Sequence, residues 1–84
     1  MTAPDWLVKR GCDLKLGSDN RTWYVYLGPQ PHYSVMAVPA GSQFGPVVRQ
    51  TINGQRIEST GTYPTREDAV RGGLEDLRKA LGWG

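Results

Sequence analysis

At 84 residues the chain is expected to form one domain, residues 1–84, around a single modest core with about 3–5 kcal/mol of net stability. Hydrophobic residues at 38% and charged residues at 21% exclude a disordered chain, and no apolar run is long enough for a bilayer span or a signal peptide, so the expected setting is cytoplasmic with no membrane contact. A net charge of +2 permits an anionic partner without demanding one, and a single cysteine, Cys12, excludes an internal disulfide.

The stretch from Ala3 to Arg10 predicts a short helical turn. Pro4 suits the first helical position, Asp5 favours the first turn, and Gly11 can end it. So short a helix is marginal alone, so its order depends on Trp6 and Leu7 packing against the body. Cys12, Leu14 and Leu16 then alternate with Asp13 and Lys15, the period of a half-buried strand. The turn-forming run Gly17-Ser18-Asp19-Asn20 leads into a second strand, Arg21 to Leu27. There Trp23, Val25 and Leu27 share one face, with Tyr24 and Tyr26 on the other.

Gly28-Pro29-Gln30-Pro31 breaks the pattern, and Tyr33 to Val38 resumes it. That run is apolar on both faces, which predicts a central strand. Pro39 to Pro46 reads as a loop. Next, Asn53-Gly54 between two strand-like runs predicts a two-residue hairpin turn. That turn would set Arg49 opposite Glu58, Thr51 opposite Arg56 and Val48 opposite Ser59. Val48, Ile52 and Ile57 would then face the core, and Arg49, Thr51, Arg56 and Glu58 would face solvent or a partner.

One long helix follows. Thr65 is a good N-cap with Asp68 three residues on, in a capping-box-like position. Ala69, Val70, Gly73, Leu74, Leu77 and Leu81 form an apolar stripe, opposite Asp68, Gly72, Glu75 and Lys79. Glycine in mid-helix costs about 1 kcal/mol, so Gly73 on the inner side implies a close approach of helix to sheet. Gly82 is the expected stop, with Trp83 folding back. The fold expected from these elements is α+β: an antiparallel sheet of about four to five strands packed on one C-terminal helix, with a short N-terminal helix.

No catalytic set is legible, so the chain reads as a non-enzymatic binding module with no cofactor and no metal site. His32 stands alone at a loop-to-strand junction, without a recognisable nucleophile motif elsewhere. Cys12 with one histidine cannot build a protein-only zinc site and reads as a small buried hydrophobe. The carboxylates are scattered, and those of the helix pair at i,i+4 with Arg71 and Lys79. Gly41 to Pro46 lacks the ending of a phosphate-binding loop.

The feature with chemistry is the exposed face of the second hairpin. Arg49, Thr51 and Arg56 project together there, and Tyr24 and Tyr26 can share the face. Arginines on a polar sheet face can contact phosphates or enter a groove, and tyrosines can stack on exposed bases. An ordinary cross-strand Arg49–Glu58 ion pair on a solvated face is the plain alternative.

From Asn53 onward the chain resembles two patterns. In the YegP-like family of small bacterial domains, an Asn-Gly turn, a strand, a Tyr and an Ala/Gly/Arg helix follow one another, as Asn53, Gly54, Ile57, Ser59, Tyr63, Ala69, Gly73 and Arg78 do here. In the AP2-like and integrase-arm group, three strands and a helix carry an aromatic, a Thr, an acidic residue and an Ala, echoed by Tyr63, Thr65, Glu67 or Asp68, and Ala69. The second resemblance implies DNA contact through the sheet, with Arg49 and Arg56 at reading positions. The N-terminal helix and first hairpin depart from both patterns. DNA, RNA or protein stay open as the partner, and so does the oligomeric state. The rival to nucleic-acid binding is a protein-binding module, such as a mobile-element or phage protein that docks on and inhibits a host nucleic-acid machine. A third reading has the Gly28–Pro31 and Pro39–Pro46 loops forming a small-ligand pocket.

Overall fold

A computed structural model describes residues 1–83. The elements are α1 (Asp5–Val8), β1 (Cys12–Leu16), β2 (Trp23–Leu27), β3 (Gln30–Ala40), β4 (Gln43–Gln50), β5 (Arg56–Ile57) and α2 (Arg66–Leu81). The five strands form one antiparallel sheet in the order β1-β2-β3-β4-β5, so each pairs with its neighbour in sequence. This is the expected α+β architecture, with β3 central. No helix among the described residues is long and apolar enough to cross a membrane.

The period-2 alternation of the strands decides which side is buried. One register row runs Leu16–Trp23–Val35–Val48–Ile57 across the whole sheet, and α2 lies against its middle, on β3 and β4. The helix contributes Ala69, Val70, Gly73, Leu74 and Leu77 to the interior. Leu7, Val25, Val35, Val48, Leu74 and Leu77 are the largest fully buried side chains. Complete burial of each such residue contributes about 1.5–3 kcal/mol. Cys12 is buried among them, and burial pushes its thiol pKa up, which makes it a poor nucleophile.

Gly73 lets α2 approach closely. A Cβ there would stand 2.9 Å from Val35 Cγ1, 3.0 Å from Pro46 Cβ and 3.3 Å from Val48 Cγ2. Gly72, expected on the solvent side of the helix, is covered instead: the Tyr63 ring occupies the space a Cβ would need. The backbone of Tyr63 exchanges two hydrogen bonds with Phe44, which fixes the ring over the helix.

The helix ends follow from local chemistry. Thr65 Oγ1 accepts from the Asp68 N–H at 3.1 Å. At the C-terminus, the Trp83 N–H donates to Arg78 O and the Gly82 N–H to Lys79 O, the paired bonds of a Schellman end. Glu67 pairs with Arg71 at i,i+4, but Glu75 takes Arg78 at i,i+3 rather than the expected Lys79. The returning Trp83 meets Trp6 edge-on at 6.0 Å, and the Arg10 guanidinium lies 4.7 Å above the Trp83 ring. The short N-terminal helix is thus held by Leu7, buried in the core, and by Trp6 against the C-terminal end. It is shorter than expected: Pro4 caps it with extended backbone, and it stops at Val8.

Three further expectations are corrected. The stretch from Pro39 to Pro46 is a hairpin in which Ala40 pairs with Gln43 around Gly41-Ser42, and both prolines lie in strands. The N–H groups of Phe44 and Gln50 point toward Tyr63 and Gln55, on the β5 side. By alternation the Pro46 nitrogen points the same way, into the gap where the chain has left the sheet between Ile57 and Tyr63, so no ladder bond is lost. Likewise Gly28-Pro29 is a tight turn, with β3 starting at Gln30. The turns at Gly28-Pro29 and Gly41-Ser42 therefore sit at opposite ends of an eleven-residue strand, about 36 Å long at ~3.3 Å per residue, and cannot wall one pocket.

The third correction concerns the second hairpin. Asn53-Gly54 does not make a two-residue turn, because only Gly54 has positive φ. The loop spans residues 51–54: Gln50 N–H donates to Gln55 O, and Gly54 N–H donates to Gln50 O. Asn53 Oδ1 accepts from the Gln55 N–H. The register moves by two residues, so Val48 pairs with Ile57 and Arg49 with Arg56. Ile52, expected in the core, sits at the loop tip with 90% of its surface exposed.

Candidate functional site

Because α2 covers the inner face, and Leu7 of α1 joins the same core, the outer face of the sheet carries no helix. Its middle register row reads Lys15–Tyr24–Ser34–Arg49–Arg56, one residue from every strand. With strands ~4.8 Å apart, the row spans about 19 Å. Tyr24 and Tyr26 share this face on β2, about 7 Å apart along the strand. Tyr24 leans on the bare backbone of Gly17, where a Cβ would come within 2.8 Å of its ring. The Lys15 ammonium lies 4.9 Å above the Tyr26 ring, a cation–π contact on an open surface.

The electrostatics of the row are one-sided. Arg49 and Arg56 are exposed and directly opposite each other, a like-charge pair. Among the described residues the ion pairs are Glu67–Arg71 and Glu75–Arg78, both on α2, and neither guanidinium of the row takes part in one. The expected partner of Arg49, Glu58, is displaced by the two-residue shift and lines a shallow groove with Asp76 and Lys79 beside α2. Asp13, opposite Tyr26 at the β1 edge, is the carboxylate on the face. Toward the Gly41-Ser42 turn the face becomes apolar, with Met36 paired to Val47 and Val38 to Gly45.

Of the five residues the sequence singles out, the fold brings together Arg49, Arg56, Tyr24 and Tyr26. Thr51 is not with them. Its N–H donates to His32 O at 3.0 Å and its hydroxyl donates to Pro31 O, so it pins the 51–54 loop onto the start of β3. His32 is the extra residue of a bulge, since Val25 pairs with Tyr33 and Tyr26 with Pro31. It is exposed and touches the Tyr33 ring at a tilt. Lys15 and Ser34 belong to the row but were not picked out from sequence. The outward phase of Lys15 was legible in the alternation of β1, but its distance from the arginines was not. Among the described residues no three His, Cys, Asp or Glu side chains converge as metal ligands.

No protein-family model, curated protein or solved structure matches this chain.

Proposed function

We propose that this protein is a cytoplasmic, non-enzymatic module that binds nucleic acid on the open face of its sheet. The observation that carries this is the Arg49–Arg56 pair: two exposed arginines directly opposite each other on neighbouring strands, neither of them in an ion pair. Opposed like charges on neighbouring strands destabilise a sheet, so the pair is a cost to the fold that an anionic partner offsets. Lys15 at the far end of the row, and two tyrosines between, add a third cation and two stacking surfaces. The likeness of the last third of the chain to AP2-like domains points the same way.

The test is fluorescence anisotropy with labelled 12-nucleotide DNA and RNA. Three neutralised phosphates give a log–log salt slope of about −2.1 for a single strand to −2.7 for a duplex, so affinity should fall roughly 20- to 40-fold between 50 and 200 mM salt. Replacing both arginines, Arg49→Ala with Arg56→Ala, should remove most of that slope and most of the binding. Undiminished binding by the double variant would end this reading.

The apolar end of the same face, Met36, Val38 and Val47, favours a second reading, a protein-docking module of the kind a mobile element or phage directs at a host nucleic-acid machine. Such docking would show little salt dependence and would survive loss of the two arginines.

A further inference from the structure

Resting on the nucleic-acid reading above, we infer that the face takes a single-stranded segment, with two successive bases seated on Tyr24 and Tyr26 and the backbone running toward Arg49 and Arg56.

Width is the first argument. The functional row crosses all five strands, about 19 Å, whereas a B-DNA major groove is about 12 Å wide. The β4–β5 edge could enter a groove alone. Tyr24 on β2 would then lie two to three strand spacings from the arginines, about 10–14 Å, and would be left outside. A single strand has no such limit, because it can lie across the pleat and reach both groups at once.

Spacing is the second. Tyr24 and Tyr26 are about 7 Å apart, roughly twice the 3.4 Å step between stacked bases. Neighbouring bases can occupy both rings only after unstacking from each other, which a single strand does and a duplex does not.

Charge placement is the third. The face offers a cation at each end of the row, Lys15 on β1 and the guanidinium pair on β4 and β5, with the tyrosines between. A backbone bridging these ends spans about three to four nucleotides, the low end of the site sizes known for stacking platforms. Lys15 covers Tyr26 in the free protein, and its flexible stem lets it swing from ring to phosphate.

The experiment compares dT12, rU12 and a 12-base-pair DNA duplex at fixed salt, using the wild type, Tyr24→Phe with Tyr26→Phe, and Tyr24→Leu with Tyr26→Leu. Leucine keeps apolar cover on the strand but has no aromatic face. Expected are single-strand binding about tenfold or more tighter than duplex binding, near wild-type affinity in the Phe pair, and at least a ~10-fold loss in the Leu pair. The dT12 and rU12 arms show which sugar the single strand carries. Circular dichroism melts check folding; if the Leu pair melts early, Tyr26→Leu alone and the wild-type strand comparison decide. Duplex binding equal to or tighter than single-strand binding, or equal affinities in the Phe and Leu pairs, overturns this inference and leaves the nucleic-acid reading standing. Absence of binding to all three oligonucleotides overturns both.

Discussion

Arg49 on β4 and Arg56 on β5 face each other directly across the outer surface of the sheet, and no carboxylate of the described residues pairs with either. The arrangement arises from the loop beneath them. Thr51 bonds back to Pro31 and His32, the loop takes four residues rather than two, and Glu58 is carried past Arg49 toward α2.

Relieving this repulsion should trade binding for stability. Arg56→Glu creates a cross-strand ion pair in place of a like-charge pair, with an expected gain of a few tenths to about 1 kcal/mol. Urea midpoints measured at 20 mM and 500 mM salt check it. The gain should shrink at high salt, where a Debye length of a few Å screens both charges. The same variant should bind oligonucleotides more weakly than wild type.

Ile52 tests the register. In the hairpin expected from Asn53-Gly54 it is a core residue, and Ile52→Ser would be severely destabilising. At a loop tip with 90% exposure, the substitution should change stability by less than about 0.5 kcal/mol. Leu77→Ala, fully buried under the sheet, should lose about 2–5 kcal/mol by the same denaturation assay.

Gly73 sets the distance between helix and sheet. Alanine at an ordinary helix position gains up to about 1 kcal/mol over glycine. Here its methyl would press on Val35, Pro46 and Val48, all three of which are buried. Overpacking of about 1–3 kcal/mol should outweigh the propensity gain, so Gly73→Ala lowers the melting temperature. A rise would show that the helix can lift off at little cost.

Acid should act through Asp19. Its carboxylate accepts the Thr22 hydroxyl at 2.7 Å and the N–H groups of Arg21 and Thr22, which holds its pKa down from 3.8 to about 2. A folded pKa below the unfolded one means a stabilising contribution present above about pH 4 and lost as pH falls toward 2. Asp19→Asn should therefore flatten the stability profile in that window and leave its shape near pH 7 unchanged. Thermal melts from pH 2 to 7 measure this.

Side-chain periodicity and end chemistry by themselves determine much of the molecule. The alternation in Cys12–Leu16 and Trp23–Leu27, the stripe from Ala69 to Leu77, the Thr65 cap and the inward Gly73 are all local signals, and all hold in the fold. Even the arginine pair was legible as sharing one face, because a register shift of two residues preserves the side of the sheet on which each side chain lies. Who stands opposite whom was not local. The loop at 51–54 is pinned by bonds from Thr51 to Pro31 and His32, far earlier in the chain. Pro39 and Pro46 can sit in strands because the nitrogens they withhold point past the ends of shorter neighbouring strands. Local pattern assigns a residue to a face. Pairing across the sheet is a contest between distant segments for hydrogen bonds and space, and only the assembled tertiary structure resolves it.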